Sequence, residues 1–120
     1  IGYTIAQHFD ILAENGLPVK KIMAVGGGTK NEVWLQAVAD ILGRPIFTAK
    51  VTFGAAFGDA IMAALGGGAY ASWAELEKVI EPARIIEPDM RVHAVYEAQR
   101  PVFDALYTNN RDLMHRGMQK

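Results

Sequence analysis

Cysteine is absent from the 120-residue sequence. This absence excludes disulfide bridges and thiolate metal sites, and it fits a protein of the reducing cytoplasm. The three histidines, His8, His93 and His115, lie far apart, and no two of them have the HxxxH spacing of a zinc site. We therefore expect a cytoplasmic protein whose own residues include no metal ligands.

The sequence also has no long apolar run and almost no net charge. The most apolar segment, from Phe53 to Leu65, is interrupted by Gly58 and Asp59, and a membrane helix needs about 18 to 20 apolar residues in succession. The formal net charge of −1 gives no broad basic field for nucleic acid. With 51% hydrophobic residues, the sequence predicts one globular domain with neither a membrane nor a nucleic-acid partner.

The first residues carry no start signal. The sequence opens at Ile1 with a helical apolar pattern already under way, and it has neither an initiator methionine nor a signal peptide. We interpret the chain as part of a longer protein.

The first half of the chain alternates helical and extended patterns. Apolar spacing and the stop signal Asn15-Gly16 predict a helix that ends near Glu14. A buried strand over 19–25, a helix after Asn31 that ends before Gly43, and a short strand over 46–49 follow. This order favours an α/β domain with a largely parallel sheet.

The second half contains further helices and an extended segment. Small residues over 54–65 predict a helix packed tightly inside the domain, and Ser72 with Glu75 has the capping-box spacing for a helix from Trp73 to about Val79. Prolines within 80–89 favour an edge strand there. A last helix is expected from Val92.

The feature with most chemical meaning is the glycine turn, Val25-Gly26-Gly27-Gly28-Thr29-Lys30-Asn31. Glycines let a planar or anionic ligand approach the main chain, and the following helix contributes free N–H groups and a positive dipole end. The spacing fits neither the P-loop nor the GxGxxG fingerprint. A tight strand-to-helix bend with no ligand is the alternative interpretation.

Other residues favour plain structural roles. Asp40 and Asp59 lie within predicted helices and are expected to be solvated or locally hydrogen-bonded. Trp34 falls on the apolar face of the second helix, which predicts a core position. For His93 and His115 a surface position is expected.

Taken together, the glycine turn, Trp34-Leu35-Gln36, the block from Ala39 to Ile46 and Gly54-Ala55-Ala56 resemble the carboxy-terminal domain of FGGY-family carbohydrate kinases. The resemblance extends from Ile1 to about Arg116, and the block from Gly26 to Pro45 favours a xylulokinase-like member. It implies a ribonuclease-H-like, actin-type ATPase domain. Such kinases transfer the γ-phosphate of ATP to a sugar hydroxyl with magnesium.

The resemblance also implies the residues of the site. Gly26, Gly27 and Gly28 match the adenosine-binding glycines of the family, and Asn31 matches an asparagine that lies against the adenine. Thr29 and Lys30 occupy the same turn and are expected to contribute backbone contacts. ATP or ADP and magnesium are therefore the expected cofactors.

The catalytic base, the sugar pocket and the phosphate loop of this family come from upstream sequence. Residues 1–120 then correspond to part of the carboxy-terminal nucleotide-binding domain, and the amino-terminal sugar-binding domain is absent. Magnesium would be held mainly by the phosphates and the missing domain. No catalytic residue is expected here, and the chain alone is predicted to have no kinase activity.

Two other functions remain open from the sequence. One is a non-catalytic module of the same fold, which either senses nucleotide or dimerises through its terminal helix. In the second case the expected partner is another copy of the same chain. The other is a different α/β domain in which the glycine turn is purely structural. The sugar cannot be identified from these residues, since substrate choice in such kinases resides mostly in the missing domain.

Overall fold

The computed structural model describes residues 1–50, 54–80 and 82–117. The helices and strands follow in the order α1 (Gly2–Glu14), β1 (Ile22–Ala24), a 3₁₀ turn (Gly27–Lys30), α2 (Glu32–Leu42), β2 (Ile46–Ala49), α3 (Ala55–Gly66), α4 (Trp73–Glu77), β3 (Pro82–Ile86) and α5 (Met90–Arg116). The predicted α/β class is confirmed.

The three strands form one mixed sheet in the order β1-β2-β3. Strands β1 and β2 are parallel, with Ile22 opposite Ile46. Strand β3 runs antiparallel to β2, with Ile86 opposite Ile46 and an irregularity in register between Thr48 and Ala49. The parallel expectation thus holds for the first pair, and β3 is the predicted edge strand.

The core lies where α2 covers the sheet. Four buried side chains form its centre, and further apolar side chains of α1, α2, β1 and β3 pack around them; the four are Leu35, Val38, Ala39 and Ile46. Leu35 and Ala39 have no exposed surface. Removing a leucine side chain from water contributes roughly 1.5–3 kcal/mol, so this contact fixes α2, and with it the preceding turn, against the sheet.

Helix α5 packs against α1 and α2 through its first half. The Tyr3 hydroxyl donates a hydrogen bond to the Tyr96 carbonyl at 2.8 Å, and the ring of Tyr3 lies 5.1 Å from that of Phe103. Arg100 forms an ion pair with Asp10. Burial and the neighbouring Tyr96 raise the pKa of Tyr3 above its ordinary value. These contacts hold one face of α5 against the body of the protein.

Several boundaries differ from the predictions. Strand β1 is limited to Ile22–Ala24, and α4 ends at Glu77. Helix α5 begins at Met90, because Asp89 caps it by accepting a hydrogen bond from the Arg91 N–H at 2.9 Å. It then continues through Pro101. Within the extended segment 80–89, Glu81 lies outside the described residues.

The prediction of a tightly packed third helix is wrong. Helix α3 has no buried residue, and Met62 exposes 55% of its surface. Its small residues lie on nearly every side, so composition cannot define an inward face, and the structure covers it only in part, with Phe57, Ile61 and Leu65 half-buried. Phe53, where the apolar run begins, lies outside the described residues. Among the helices that the structure does describe, none is both long and apolar enough to cross a membrane.

Candidate functional site

The glycine turn joins the carboxyl end of β1 to the amino end of α2. Gly26 has φ 85° and ψ −171°, a region of backbone conformation that is essentially restricted to glycine. Residues Gly27–Lys30 then form one turn of 3₁₀ helix before α2 begins. The first glycine is therefore required by the backbone itself, with or without a ligand.

The outer side of the turn is open. A Cβ atom placed on Gly26 or Gly27 would meet no other atom within 4 Å. At Gly28 it would lie 3.4 Å from the Trp34 ring, which is an ordinary contact distance. Packing within the described chain therefore does not account for glycine at position 27. A Cβ-free surface at this position is suited to a ligand that approaches the main chain closely.

Thr29 stabilises the turn from inside. Its side chain is buried, and its hydroxyl donates to the Gly26 carbonyl at 2.7 Å. The Thr29 N–H donates to the same carbonyl at 3.2 Å. Because the hydroxyl and the N–H are both used within the turn, Thr29 holds the glycines in place instead of offering these donors to a ligand.

Asn31 is the N-cap of α2. Its side-chain Oδ1 accepts a hydrogen bond from the Trp34 N–H at 3.0 Å. The exposed side chain keeps its NH₂ group, which has two donors. This N-cap was not predicted from the sequence, although an asparagine directly before a helix is typical of an N-cap. Asn31 can thus cap the helix with its oxygen and donate from its nitrogen.

The charges near the turn have both signs. Lys30 is exposed at the amino end of α2, where the helix dipole also favours an anion. Glu32 lies in the first turn of α2 and forms an ion pair with Arg84 of β3. Arg84 therefore partly balances the charge of Glu32 near Lys30.

The prediction that Trp34 lies in the core is wrong. The indole is on the surface, against Gly28. The buried side of α2 is centred on Leu35 and Ala39, and a step of one residue rotates a side chain by about 100° around the helix. Trp34 therefore provides a flat apolar side chain next to the glycines.

Asp40 differs from its expected solvated state. It is buried, and its Oδ1 accepts hydrogen bonds from Gln36 Nε2 at 2.8 Å and from the Asp89 N–H at 2.7 Å. The local hydrogen bond agrees with the prediction, whereas the bond to Asp89 is a tertiary contact. Together they connect α2 to the start of α5.

His93 is also drawn into this contact. It is half-buried, and its Nδ1 lies 2.8 Å from the Asp40 carbonyl oxygen, so the expectation of a surface position is wrong for His93 but holds for the exposed His115. Asp59 is exposed on α3, as expected. Across residues 1–50, 54–80 and 82–117, no three histidine or acidic side chains gather as a metal-binding group.

Comparisons with known proteins agree with this architecture. The model of the FGGY family of carbohydrate kinases, C-terminal domain, matches residues 1–67. A xylulose kinase of Bacillus subtilis (strain 168) is 30% identical over 114 residues, which cover 94% of this chain and 23% of that protein. An autoinducer-2 kinase of Salmonella paratyphi B is 33% identical over 109 residues, 90% of this chain and 21% of that protein.

A comparison with solved structures finds the same kind of kinase. The crystal structure of a xylulose kinase from Rhodospirillum rubrum superposes with a TM-score of 0.79 at 30% identity, over 95% of this chain and 23% of that one. The predicted actin-type ATPase fold is thereby confirmed. The chain spans under a quarter of the length of the relatives it matches. This chain belongs to the FGGY family of carbohydrate kinases, and it matches the C-terminal domain of that family.

Proposed function

We propose that this chain is the ATP-binding lobe of a carbohydrate kinase, and that its glycine turn holds the adenosine end of the nucleotide. The observation that carries the proposal is the open backbone at Gly27, where a side chain would meet nothing of the described chain. At the turn between β1 and the amino end of α2, this open glycine leaves the main chain accessible to a ligand.

The chemistry around this opening suits adenosine. The main chain at Gly26 and Gly27 offers a surface without side chains to a flat base or ribose. The Asn31 NH₂ group can donate to a ring nitrogen or a ribose oxygen, since its Oδ1 is held by the α2 cap. Trp34 borders the same surface through its contact with Gly28.

The proposed reaction is transfer of the ATP γ-phosphate to a sugar hydroxyl. Such a transfer needs a positioned base and metal-held phosphates. The described residues do not form a metal-binding group, so we assign magnesium to the phosphates and to other parts of a longer protein. This chain's own contribution is to bind and orient the nucleotide.

Xylulose is the first acceptor to test. Relatives named xylulose kinase and autoinducer-2 kinase support a small polyhydroxylated substrate. The test belongs on the full-length protein from which this sequence derives, with xylulose, other pentuloses and glycerol as acceptors. We expect phosphorylation of xylulose in the cytoplasm, and turnover of glycerol alone would contradict this choice of sugar.

Nucleotide binding can be tested on this chain by fluorescence and calorimetry. The sequence contains two tryptophans, so Trp73→Phe leaves Trp34 as the reporter beside the turn. We expect ADP to change its emission and to release measurable heat. Adenosine should displace ADP, whereas pyrophosphate should not, because the proposed contacts are with the adenosine end. The absence of any ADP signal at millimolar concentration would reject the site.

A matched pair of variants locates the site. Gly27→Val fills the open surface of the turn, and Gly58→Val adds the same side chain at an open position on α3. Both should leave the melting temperature nearly unchanged. We expect Gly27→Val alone to weaken ADP binding by about tenfold or more, which corresponds to roughly 1.4 kcal/mol. Equal affinities in the two variants would place the nucleotide elsewhere.

A further inference from the structure

The peptide group that joins Gly26 to Gly27 is held in one orientation. The Gly26 carbonyl oxygen accepts two hydrogen bonds, one from the Thr29 hydroxyl at 2.7 Å and one from the Thr29 N–H at 3.2 Å. A backbone carbonyl has two lone pairs, and here a single residue uses both. The carbonyl therefore points into the turn, towards the buried side chain of Thr29.

The direction of this carbonyl determines where the next N–H group points. The described chain contains no cis peptide, and in a trans peptide the C=O and the N–H point in opposite directions. The Gly27 N–H is therefore directed away from Thr29 and out of the turn. Among the described residues no group accepts a hydrogen bond from it, as is usual for the first N–H groups of a helical turn. Gly27 thus offers a free donor at an open surface.

Glycine at both positions makes this orientation easy to lose. Turning the peptide over changes ψ of Gly26 and φ of Gly27, and neither residue has a Cβ atom that restricts these angles. The turned peptide would present the Gly26 oxygen, an acceptor, on the side where the folded turn presents a donor. It would also break both bonds from Thr29. These two bonds are therefore what favours one orientation over the other.

We propose that Thr29 is a positioning residue of the nucleotide site, which keeps the Gly27 N–H directed outward as a donor to a ribose oxygen or a ring nitrogen of the adenosine. This inference rests on the proposed function. The Thr29 side chain does not itself reach the nucleotide, because it is buried and its hydroxyl donates within the turn. It acts through the peptide group that it orients.

The hydroxyl of Thr29 determines how many molecules have a turn that is ready to bind. Without it, the longer bond from the Thr29 N–H alone holds the Gly26 carbonyl. The apparent affinity for a ligand falls in proportion to the fraction of molecules in the competent conformation. Since the net strength of a neutral hydrogen bond corresponds to a factor of roughly three to ten, we expect a loss of ADP affinity of that size.

Calorimetric titration with ADP compares the wild-type chain with three variants. Thr29→Val removes the hydroxyl and keeps the shape of the side chain, and it should weaken ADP binding by about three- to tenfold. Thr29→Ser keeps the hydroxyl and should stay within about twofold of the wild type. Thr4→Val is the control, because it makes the same exchange of hydroxyl for methyl at an exposed position of α1, and it should not change the affinity.

Circular dichroism checks that each variant is folded during its titration. An affinity that Thr29→Val leaves within twofold of the wild type would overturn the positioning role and leave the proposed nucleotide site intact. Equal losses for Thr29→Val and Thr29→Ser would also overturn it, since the hydroxyl would then not be the group that matters. A wild-type chain that does not bind ADP would reject the proposed function, and the positioning role with it.

Amide hydrogen exchange of the wild-type chain, measured by NMR, keeps the test valid if Thr29→Val does not fold. In the free chain the Gly27 N–H should exchange rapidly, whereas the Thr29 N–H, which donates to the Gly26 carbonyl, should exchange at least about tenfold more slowly. Saturating ADP should slow exchange at Gly27 by about tenfold or more. A Gly27 N–H that is already protected in the free chain, or that ADP binding leaves unprotected, would contradict the proposal.

Discussion

At the scale of single residues, the glycine turn contains glycines of different kinds. Gly26 has a backbone conformation that side chains rarely adopt, whereas Gly27 has an ordinary one and open space around its Cα. The sequence Gly26-Gly27-Gly28 gives no means of telling them apart. The structure thereby separates a glycine required for folding from one that is free for a ligand.

Gly26→Ala should destabilise the fold. A side chain at φ 85° and ψ −171° is strained, and such strain costs about 1–3 kcal/mol. Urea unfolding measures the change, with Gly27→Ala as the control that should stay within about 0.5 kcal/mol. Equal losses in the two variants would mean that the conformation of Gly26 is not limiting.

Leu35→Ala should destabilise the protein by about 2–5 kcal/mol, because a fully buried leucine at the centre of the core leaves a cavity. Val33→Ala lies on the same helix at an exposed position and should change stability by less than about 0.5 kcal/mol. Thermal unfolding of both variants compares them. A Leu35 effect as small as that of Val33 would contradict the described core.

At the scale of elements, helix α2 was predicted almost completely and α3 was not. The bounds of α2 depend on local signals: Asn31 caps its start, and Gly43 ends it in the left-handed conformation with φ 59°. The burial of α3 depends on what packs against it, and its composition contains no such information. Local chemistry thus predicted where helices begin and end, but not which of them are covered.

The contact between α2 and α5 depends on Asp40. Asp40→Ala would leave the Asp89 N–H without its acceptor, whereas Gln36 would keep its hydrogen bond to the Glu87 carbonyl, and an unsatisfied buried donor costs about 1–3 kcal/mol. Asp59→Ala, an exposed acid of α3, is the control and should be nearly neutral. Urea unfolding should show the loss for Asp40 only. A neutral Asp40→Ala would mean that water replaces the carboxylate.

Acid should weaken the start of α5. Hydrogen bonds from Arg91 lower the pKa of Asp89 to about 2 from the usual 3.8. A lowered pKa stabilises the folded state in full above about pH 4, and this contribution disappears as the pH falls to about 2. Wild type should therefore exceed Asp89→Asn in stability at pH 6, with the difference vanishing near pH 2. Urea unfolding at both values checks this, and a difference independent of pH would contradict it.

At the scale of the whole molecule, the described chain contains the glycine turn that we propose binds nucleotide, but no metal-binding group. Its length is under a quarter of that of the kinases it resembles. Phosphoryl transfer depends on a base, metal-held phosphates and an acceptor in one place. We propose that this chain provides only the nucleotide-binding part of this arrangement.

The chain alone should therefore bind ADP without phosphorylating sugar. A coupled assay with ATP, magnesium and xylulose should give no rate above background, while the full-length protein under the same conditions should turn over. The contradicting result would be sugar-dependent ATP consumption by the 120-residue chain at a rate near 1 s⁻¹, the lower end of ordinary kinase rates. It would mean that this chain does more than bind the nucleotide.

The sequence alone determined the family, the α/β class, the bounds of α2 and the position of the glycine turn, because these depend on local backbone chemistry and on an ordered series of motifs. Tertiary structure alone decided that Trp34 borders the turn, that Asp40 is buried against α5 and that β3 runs antiparallel. Burial and strand direction depend on residues distant in sequence. No local pattern encodes which distant residues these will be, so only the folded chain could supply them.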